Sequence, residues 1–298
     1  MNINPNTRPI RRPSRRTRMW ATLAGIILVF YGLVYWFEPL SLLSIPFAEY
    51  WDDKLGDIIV LFASIAAVTL SRKMARNFSP SEPPHQIWSL FSTGLTFWVA
   101  GEALGFVYDH FYWYQTFPDY TAPEFTLMDV CWILGYSFLG LSLYHQFRLI
   151  YSSTSKRQTM VYYLSLIVLV FAVTLGLTEL GLASGLGEDV SRGGVFLGIL
   201  YPVFDLFQGA AALWLFFLFR RGWLGRPWWG LLLFAFADAI STLDWLGGFE
   251  TISDQAYYYW YLLSALAYLA GYIVTALAFM AADDHLRLAL QPESPASK

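Results

Sequence analysis

Eight long apolar stretches, separated by short polar segments, constrain this chain more than any other feature of its sequence. Each stretch has the length of about 20 residues that a helix needs to cross the hydrocarbon core of a bilayer. Helix is expected because backbone polar groups in lipid must be satisfied within the segment, and no stretch alternates at period two as a barrel strand does. We therefore predict an all-α, polytopic transmembrane helix bundle with eight spans, near residues 20–43, 55–72, 86–108, 126–149, 160–184, 194–219, 227–248 and 257–283.

The composition favours the same class of protein. Hydrophobic residues make up 56% of the chain and charged residues 14%, whereas about a quarter of the residues in soluble domains are charged. A single cysteine, Cys131, excludes an intrachain disulfide and a cysteine-rich metal site. We expect one membrane domain at 20–285, preceded by a disordered basic tail at 1–19 and followed by a polar tail at 286–298.

Lysine and arginine are distributed unevenly over the segments between the spans. Of the 19 basic residues, all except Lys54 and Arg192 fall at the termini or in alternate loops. Basic residues collect on the cytoplasmic side of membrane proteins. This pattern predicts that both termini are cytoplasmic and that the lipid bilayer of a cell membrane surrounds the bundle.

Short sequences recur in the two halves of the chain. Residues 132–136 (WILGY) resemble 268–272 (YLAGY), residues 26–30 (IILVF) resemble 167–171 (IVLVF), and Glu102 and Asp57 align with Asp238 and Asp205. Four spans separate the copies, so both halves would have the same orientation in the membrane. We predict a parallel duplication of 20–150 and 160–285; the alternative is chance similarity between apolar helices.

Three acidic residues lie well inside predicted spans: Glu102 in the third, Asp205 in the sixth and Asp238 in the seventh. Ionisable groups are costly in a bilayer, usually face the bundle interior and often mark function. Tyr201 and Gln208 lie on the same helix face as Asp205. We predict that these five residues bind within one interior site. The alternative is that they only form hydrogen bonds between helices.

A second acidic group is predicted at the side with few basic residues. Asp109 continues the face of Glu102, and Asp129 begins the fourth span. Together with aromatic residues at 111–114, this group would bind a cation or respond to external pH through His110. The alternative is a solvated loop with an interfacial aromatic anchor. We count Asp109 and Asp129 among the binding residues; the other members of the group are Asp119 and Glu124.

Signatures of the common enzyme classes are missing from the sequence. It contains no H-E-x-x-H, no G-x-S-x-G and no Walker loop, and the His, Asp and Glu spacings match no metal motif. The only basic cluster is the N-terminal tail, which has no folded nucleic-acid-binding module around it. We therefore predict no catalytic residue, metal, cofactor or nucleic-acid partner.

Two short motifs suggest a family. Residues 129–136 read DVCWILGY and residues 201–206 read YPVFDL. They resemble D-x-x-W-x-x-G-Y and Y-P-x-x-D in the N-terminal multi-helix membrane modules of bacterial and archaeal diguanylate cyclases and histidine kinases. The resemblance covers spans two to eight and implies a sensor-type, signal-input role in a bacterial or archaeal plasma membrane. Only a short tail follows Arg287, so a separate signalling partner on the cytoplasmic side is expected.

Three functions are compatible with these patterns. The first is a non-enzymatic sensor module in which a stimulus shifts the packing of two four-helix halves. The second is a small transporter or a proton or ion pathway that uses the buried carboxylates. The third is an intramembrane lipid-modifying enzyme. A pathway predicts a continuous polar route through the bundle, and an enzyme predicts a closed pocket with paired catalytic groups.

Overall fold

The computed structural model describes residues 14–37, 46–112, 125–150, 155–183, 190–219, 226–245 and 253–290. Within these ranges the chain is helical and has no strand, which confirms the predicted all-α class. A π-helical turn, Tyr108–Tyr112, extends the third helix, and a 3₁₀ turn, Arg226–Trp228, precedes the seventh. The described α-helices are α1 Arg15–Phe37, α2 Pro46–Ala75, α3 Pro83–Val107, α4 Leu127–Ile150, α5 Lys156–Ala183, α6 Arg192–Phe219, α7 Trp229–Trp245 and α8 Asp254–Leu290.

Several of these helices are long and apolar enough to cross a bilayer, as in an integral membrane protein of the multi-pass type. α5 contains a shorter apolar segment, Ile167–Ala183. The count of eight spans remains a prediction, because five helices qualify among the residues that the structure describes. The qualifying segments are Gly56–Ala75, Pro83–Val107, Leu127–Ile150, Arg192–Leu218 and Ala256–Arg287.

The N-terminal boundary differs from the sequence-based expectation. α1 begins at Arg15, so residues 15–19 are helical and do not belong to a disordered tail. The backbone N–H of Thr17 donates to Ser14 Oγ at 3.0 Å, which caps the first turn. The hydroxyls of Ser14 and Thr17 both donate to Asp284 of α8. Residues 1–13 lie outside the described part of the chain.

α8 continues to Leu290, so residues 286–290 of the predicted polar tail are helical. Its acidic residue Asp283 is only 3% exposed and accepts hydrogen bonds from Lys73 Nζ at 2.6 Å and Asn77 Nδ2 at 2.9 Å. Arg287 lies one helical turn later, and its Nε is 3.2 Å from Asp283 Oδ2. We call this part of the bundle, where α1 begins and α2 and α8 end, the basic end. Residues 291–298 lie outside the described ranges.

In each of two helix pairs, α3 with α4 and α7 with α8, the two backbones come close together at glycine residues. A Cβ atom added to Gly94 of α3 would lie 2.9 Å from the Gly135 carbonyl oxygen of α4. A Cβ atom added to Gly230 of α7 would lie 2.7 Å from the Gly271 carbonyl oxygen of α8. Small residues commonly permit such close packing between membrane helices. α2 packs against α3 and α8, α6 against α7 and α4, and the peripheral helices α1 and α5 pack against α8 and α6.

The aromatic contacts of the two pairs also correspond. The rings of Trp98 and Tyr136 lie 5.0 Å apart, and those of Phe234 and Tyr272 lie 4.6 Å apart, both edge to face. Phe234 follows Trp98 by as many residues as Gly230 follows Gly94, and Tyr272 follows Tyr136 by the same number. Trp98 and Phe234 also contact each other at 5.1 Å. The contacts between α3 and α4 therefore recur between α7 and α8.

Near the basic end, the interior is filled by an aromatic layer formed by Trp88, Phe91, Trp228 and Phe279. None of these four side chains is more than 1% exposed. Their ring centroids lie 5.2–6.1 Å apart, mostly edge to face, which is a favourable arrangement for aromatic pairs. The layer places four buried aromatic rings in the centre of the bundle.

Reporter fusions test the predicted topology directly. Fusions within 150–158 and after Lys298 should give cytoplasmic signals, and fusions within 112–122 should give external signals, because basic loops are retained in the cytoplasm. The paired activities of a phosphatase and a fluorescent-protein reporter provide the measurement. A cytoplasmic signal from the 112–122 loop would contradict the number of spans.

Candidate functional site

The interior acids predicted from the sequence come together in the bundle. Asp205 of α6 is 5% exposed, while Glu102 of α3 and Asp238 of α7 are half-buried. They lie between the aromatic layer and the end opposite the basic end. We call these three residues the carboxyl cluster. Within the described ranges, no lysine, arginine or histidine forms an ion pair with any of them.

Asp205 belongs to the polar stripe on α6, and this stripe faces α4. Tyr136 Oη of α4 donates to Asp205 Oδ1 at 2.7 Å. Gln208 Nε2 donates to the backbone oxygen of Tyr136 at 2.9 Å, and Gln208 Oε1 has no hydrogen-bond partner in the described part of the structure. Tyr201 donates to Asp129, also on α4, at 2.6 Å. All three residues of the predicted stripe thus form hydrogen bonds between α6 and α4.

Glu102 is held from α8 by two tyrosines one helical turn apart. The hydroxyls of Tyr268 and Tyr272 both donate to Glu102 Oε1, the second at 3.4 Å. Residues at i and i+4 lie on one face of a helix, so both rings point toward α3. The two tyrosines were known from the repeated sequence, but their role as partners of Glu102 was not predicted.

Asp238 connects the other two acids. Its carboxyl group lies close enough to those of Asp205 and Glu102 to interact electrostatically with both. Asp205 Oδ2 is buried and has no hydrogen-bond partner among the described residues. Two neighbouring carboxylates repel each other unless one of them takes up a proton. The cluster can consequently hold an exchangeable proton.

Asp129 is buried at the start of α4, whereas the alternative for the outer acidic group was a solvated loop. It is 7% exposed, so it does not lie in a solvated loop. Its Oδ2 accepts hydrogen bonds from the Thr126 backbone N–H at 2.6 Å and hydroxyl at 2.8 Å, while Oδ1 accepts from Tyr201. The spacing Thr-x-x-Asp at a helix start resembles a capping box, and that signal was available in the sequence.

The rest of the predicted outer group is described only in part. His110 Nε2 lies 2.8 Å from Asp57 Oδ2. The side chain of Asp109, like Asp119 and Glu124, lies outside the described residues. Among the side chains that the structure describes, no three His, Cys, Asp or Glu residues are grouped so as to hold a metal ion.

The fold and site together define a multi-pass α-helical membrane protein with a carboxyl–tyrosine network in its interior. None of the family models, curated proteins or solved structures compared with this chain matches it. The assignment of function therefore depends on the geometry of the network.

Proposed function

We propose that this protein is a sensor-type, signal-input membrane module in which protonation of the carboxyl cluster sets the packing of two halves, α1–α4 and α5–α8. A separate signalling partner on the cytoplasmic side would respond to the change in packing. One observation carries the proposal: each tyrosine–carboxyl hydrogen bond described above joins one half to the other.

In each of these bonds a tyrosine of one half donates to a carboxyl group of the other half. Tyr136 of the first half donates to Asp205 of the second. Tyr268 of the second half donates to Glu102 of the first, and Tyr201 of the second donates to Asp129 of the first. A hydrogen bond to an ionised acceptor is roughly twice as strong as one between neutral groups. Adding or removing a proton on a carboxyl group therefore changes the attraction between the halves.

The recurring contacts support the predicted parallel duplication of 20–150 and 160–285. Trp98 and Phe234 occupy corresponding positions and contact each other, as residues beside a pseudo-twofold axis would. Glu102 and Asp238 also correspond, and they interact within the cluster. The cluster would then lie close to the axis that relates the halves, where a relative rotation of the halves changes every inter-half bond.

The aromatic layer favours a switch over a continuous pathway. A proton or ion path through the bundle needs polar groups along its length. Trp88, Phe91, Trp228 and Phe279 instead place four rings, each at most 1% exposed, between the cluster and the basic end. This arrangement supports a site that communicates with one side of the membrane. A proton or ion pathway is the second candidate, because the same buried acids would line it.

A pH titration of the purified protein tests the proposal. Cys131, the only cysteine, lies on α4 between Asp129 and Tyr136 and can carry an environment-sensitive fluorophore. In lipid nanodiscs we expect the fluorescence to change in one sigmoidal step with pH. Asp238→Asn should remove the step, because it preserves shape and cannot ionise.

Glu179→Gln is the matched control for this titration. Glu179 is an exposed acid on α5 that pairs with Arg192 at 2.6 Å, away from the cluster. The variant should titrate like the unmodified protein. An Asp238→Asn variant with an unchanged step would contradict the proposal.

Proton flux into liposomes distinguishes the second candidate. Vesicles that contain the protein and an internal pH-sensitive dye should acidify no faster than protein-free vesicles. Flux that is lost in Asp238→Asn would replace the sensor proposal with a proton pathway.

A further inference from the structure

We propose that the Asp57–His110 pair relays protons from the non-basic side of the membrane to Glu102, and thereby supplies the carboxyl cluster. This inference depends on the proposed function, because it names the groups that connect the cluster to water. The pair lies outside the carboxyl cluster, at the end of the bundle opposite the basic end.

The pair extends from the protein surface, at Asp57, to the protein interior, at His110. Its nitrogen and oxygen atoms, His110 Nε2 and Asp57 Oδ2, are 2.8 Å apart. The Asp57 side chain is 48% exposed, whereas the His110 side chain is only 9% exposed. The carboxylate of the pair therefore lies at the protein surface, and the imidazole lies behind it. Imidazole changes its charge state within the physiological pH range, which makes histidine a common proton shuttle.

His110 lies on the same face of α3 as Glu102 of the carboxyl cluster. Glu102, Phe106 and His110 follow one another at intervals of four residues, so they lie along one face. The π-helical turn that contains His110 keeps its ring against Phe106, with centroids 4.9 Å apart. Along the helix axis, His110 lies about 12 Å beyond Glu102.

Asp57, on the neighbouring helix α2, interacts with both His110 and Glu102. It belongs to the first turn of the apolar segment Gly56–Ala75 of α2, and it lies within electrostatic range of Glu102. The other ionisable groups that act on Glu102 are Asp238 of α7 and Tyr268 and Tyr272 of α8. Asp57 is thus the group that contacts His110 and also acts electrostatically on Glu102.

The relay changes only O–H and N–H bonds. A proton from external water binds to the Asp57–His110 pair, on a carboxylate oxygen or a ring nitrogen. The pair releases a proton toward the Glu102 carboxylate through intervening water molecules. Glu102 gains the proton, and the next proton from water restores the pair. One proton leaves the external solution for each proton that reaches the cluster.

Stopped-flow pH jumps on Cys131-labelled protein in nanodiscs test the relay. His110→Gln should slow the fluorescence response about 100-fold while the equilibrium amplitude is retained. Added imidazole should restore the rate, because it can carry protons in place of the missing ring. Asp57→Asn should also slow the response, without rescue by imidazole. His145→Gln, at the opposite end of α4 from Asp129, is the matched histidine control and should respond at the normal rate.

The outcomes separate the two proposals. A normal response rate in both His110→Gln and Asp57→Asn would overturn the relay and leave the proposed function standing. A loss of amplitude in His110→Gln that imidazole does not restore would assign the pair a purely structural role, which also overturns the relay. An unmodified protein without any pH response would overturn the proposed function itself.

Discussion

Replacing Gly94 with valine should destabilise the bundle by about 3 kcal/mol, at the upper end of the cost of overpacking. Its added Cβ atom would lie 2.9 Å from both the Gly135 carbonyl oxygen and the Leu139 backbone nitrogen. Backbone atoms cannot rotate away as side chains do, so α3 and α4 must separate. The midpoint of unfolding in a mixture of mild detergent and SDS measures the loss.

Gly140→Val is the matched control for this experiment. Gly140 lies on the same helix pair, and no heavy atom lies within 4 Å of its added Cβ, so its variant should unfold near the normal midpoint. Gly230→Val, at the corresponding position of α7, should cost about as much as Gly94→Val. Equal stability of the Gly94 and Gly140 variants would contradict the close approach of α3 and α4.

Tyr136→Phe should also have a large effect, a loss of about 1–3 kcal/mol in unfolding free energy. The substitution removes the hydroxyl that donates to Asp205 at 2.7 Å and leaves a buried carboxyl oxygen without that donor. The cost of a buried polar group that loses its partner exceeds the net gain from the original bond. The same SDS unfolding assay applies.

A double-mutant cycle separates this hydrogen bond from packing. Asp205→Leu removes the acceptor while roughly conserving volume, so Tyr136→Phe should cost much less in that background. The expected coupling between the two residues is about 1–2 kcal/mol, within the range for residues in contact. Strictly additive effects would show that the tyrosine contributes only through its ring.

The sequence was sufficient for the helical class and for the interior location of the acids. Both depend on the cost of polar groups in lipid, which acts on each segment separately. The partners of the acids could not be predicted in this way. Tyr268 lies 166 residues from Glu102, and a tyrosine in an apolar helix has the same sequence pattern whether it faces lipid or an acid.

Helix boundaries illustrate the same distinction. The α1 start depends partly on Asp284, which is 270 residues away from Ser14, so local sequence could not place it. The local capping pattern of Thr126 and Asp129, by contrast, was visible in the sequence. Helices that are apolar on every side also lack the polar face that would identify their orientation. The face of α6 toward α4 was predictable only because Asp205 and its neighbours form a polar stripe.

The bonds between the halves constrain how the protein is synthesised. The tyrosine that donates to Asp129 is made 72 residues after it, and the tyrosine that donates to Glu102 is made 166 residues after it. When α3 and α4 first enter the membrane, their acids therefore have no tyrosine to accept from. The hydrogen bonds to Glu102 therefore form only after the ribosome has completed α8.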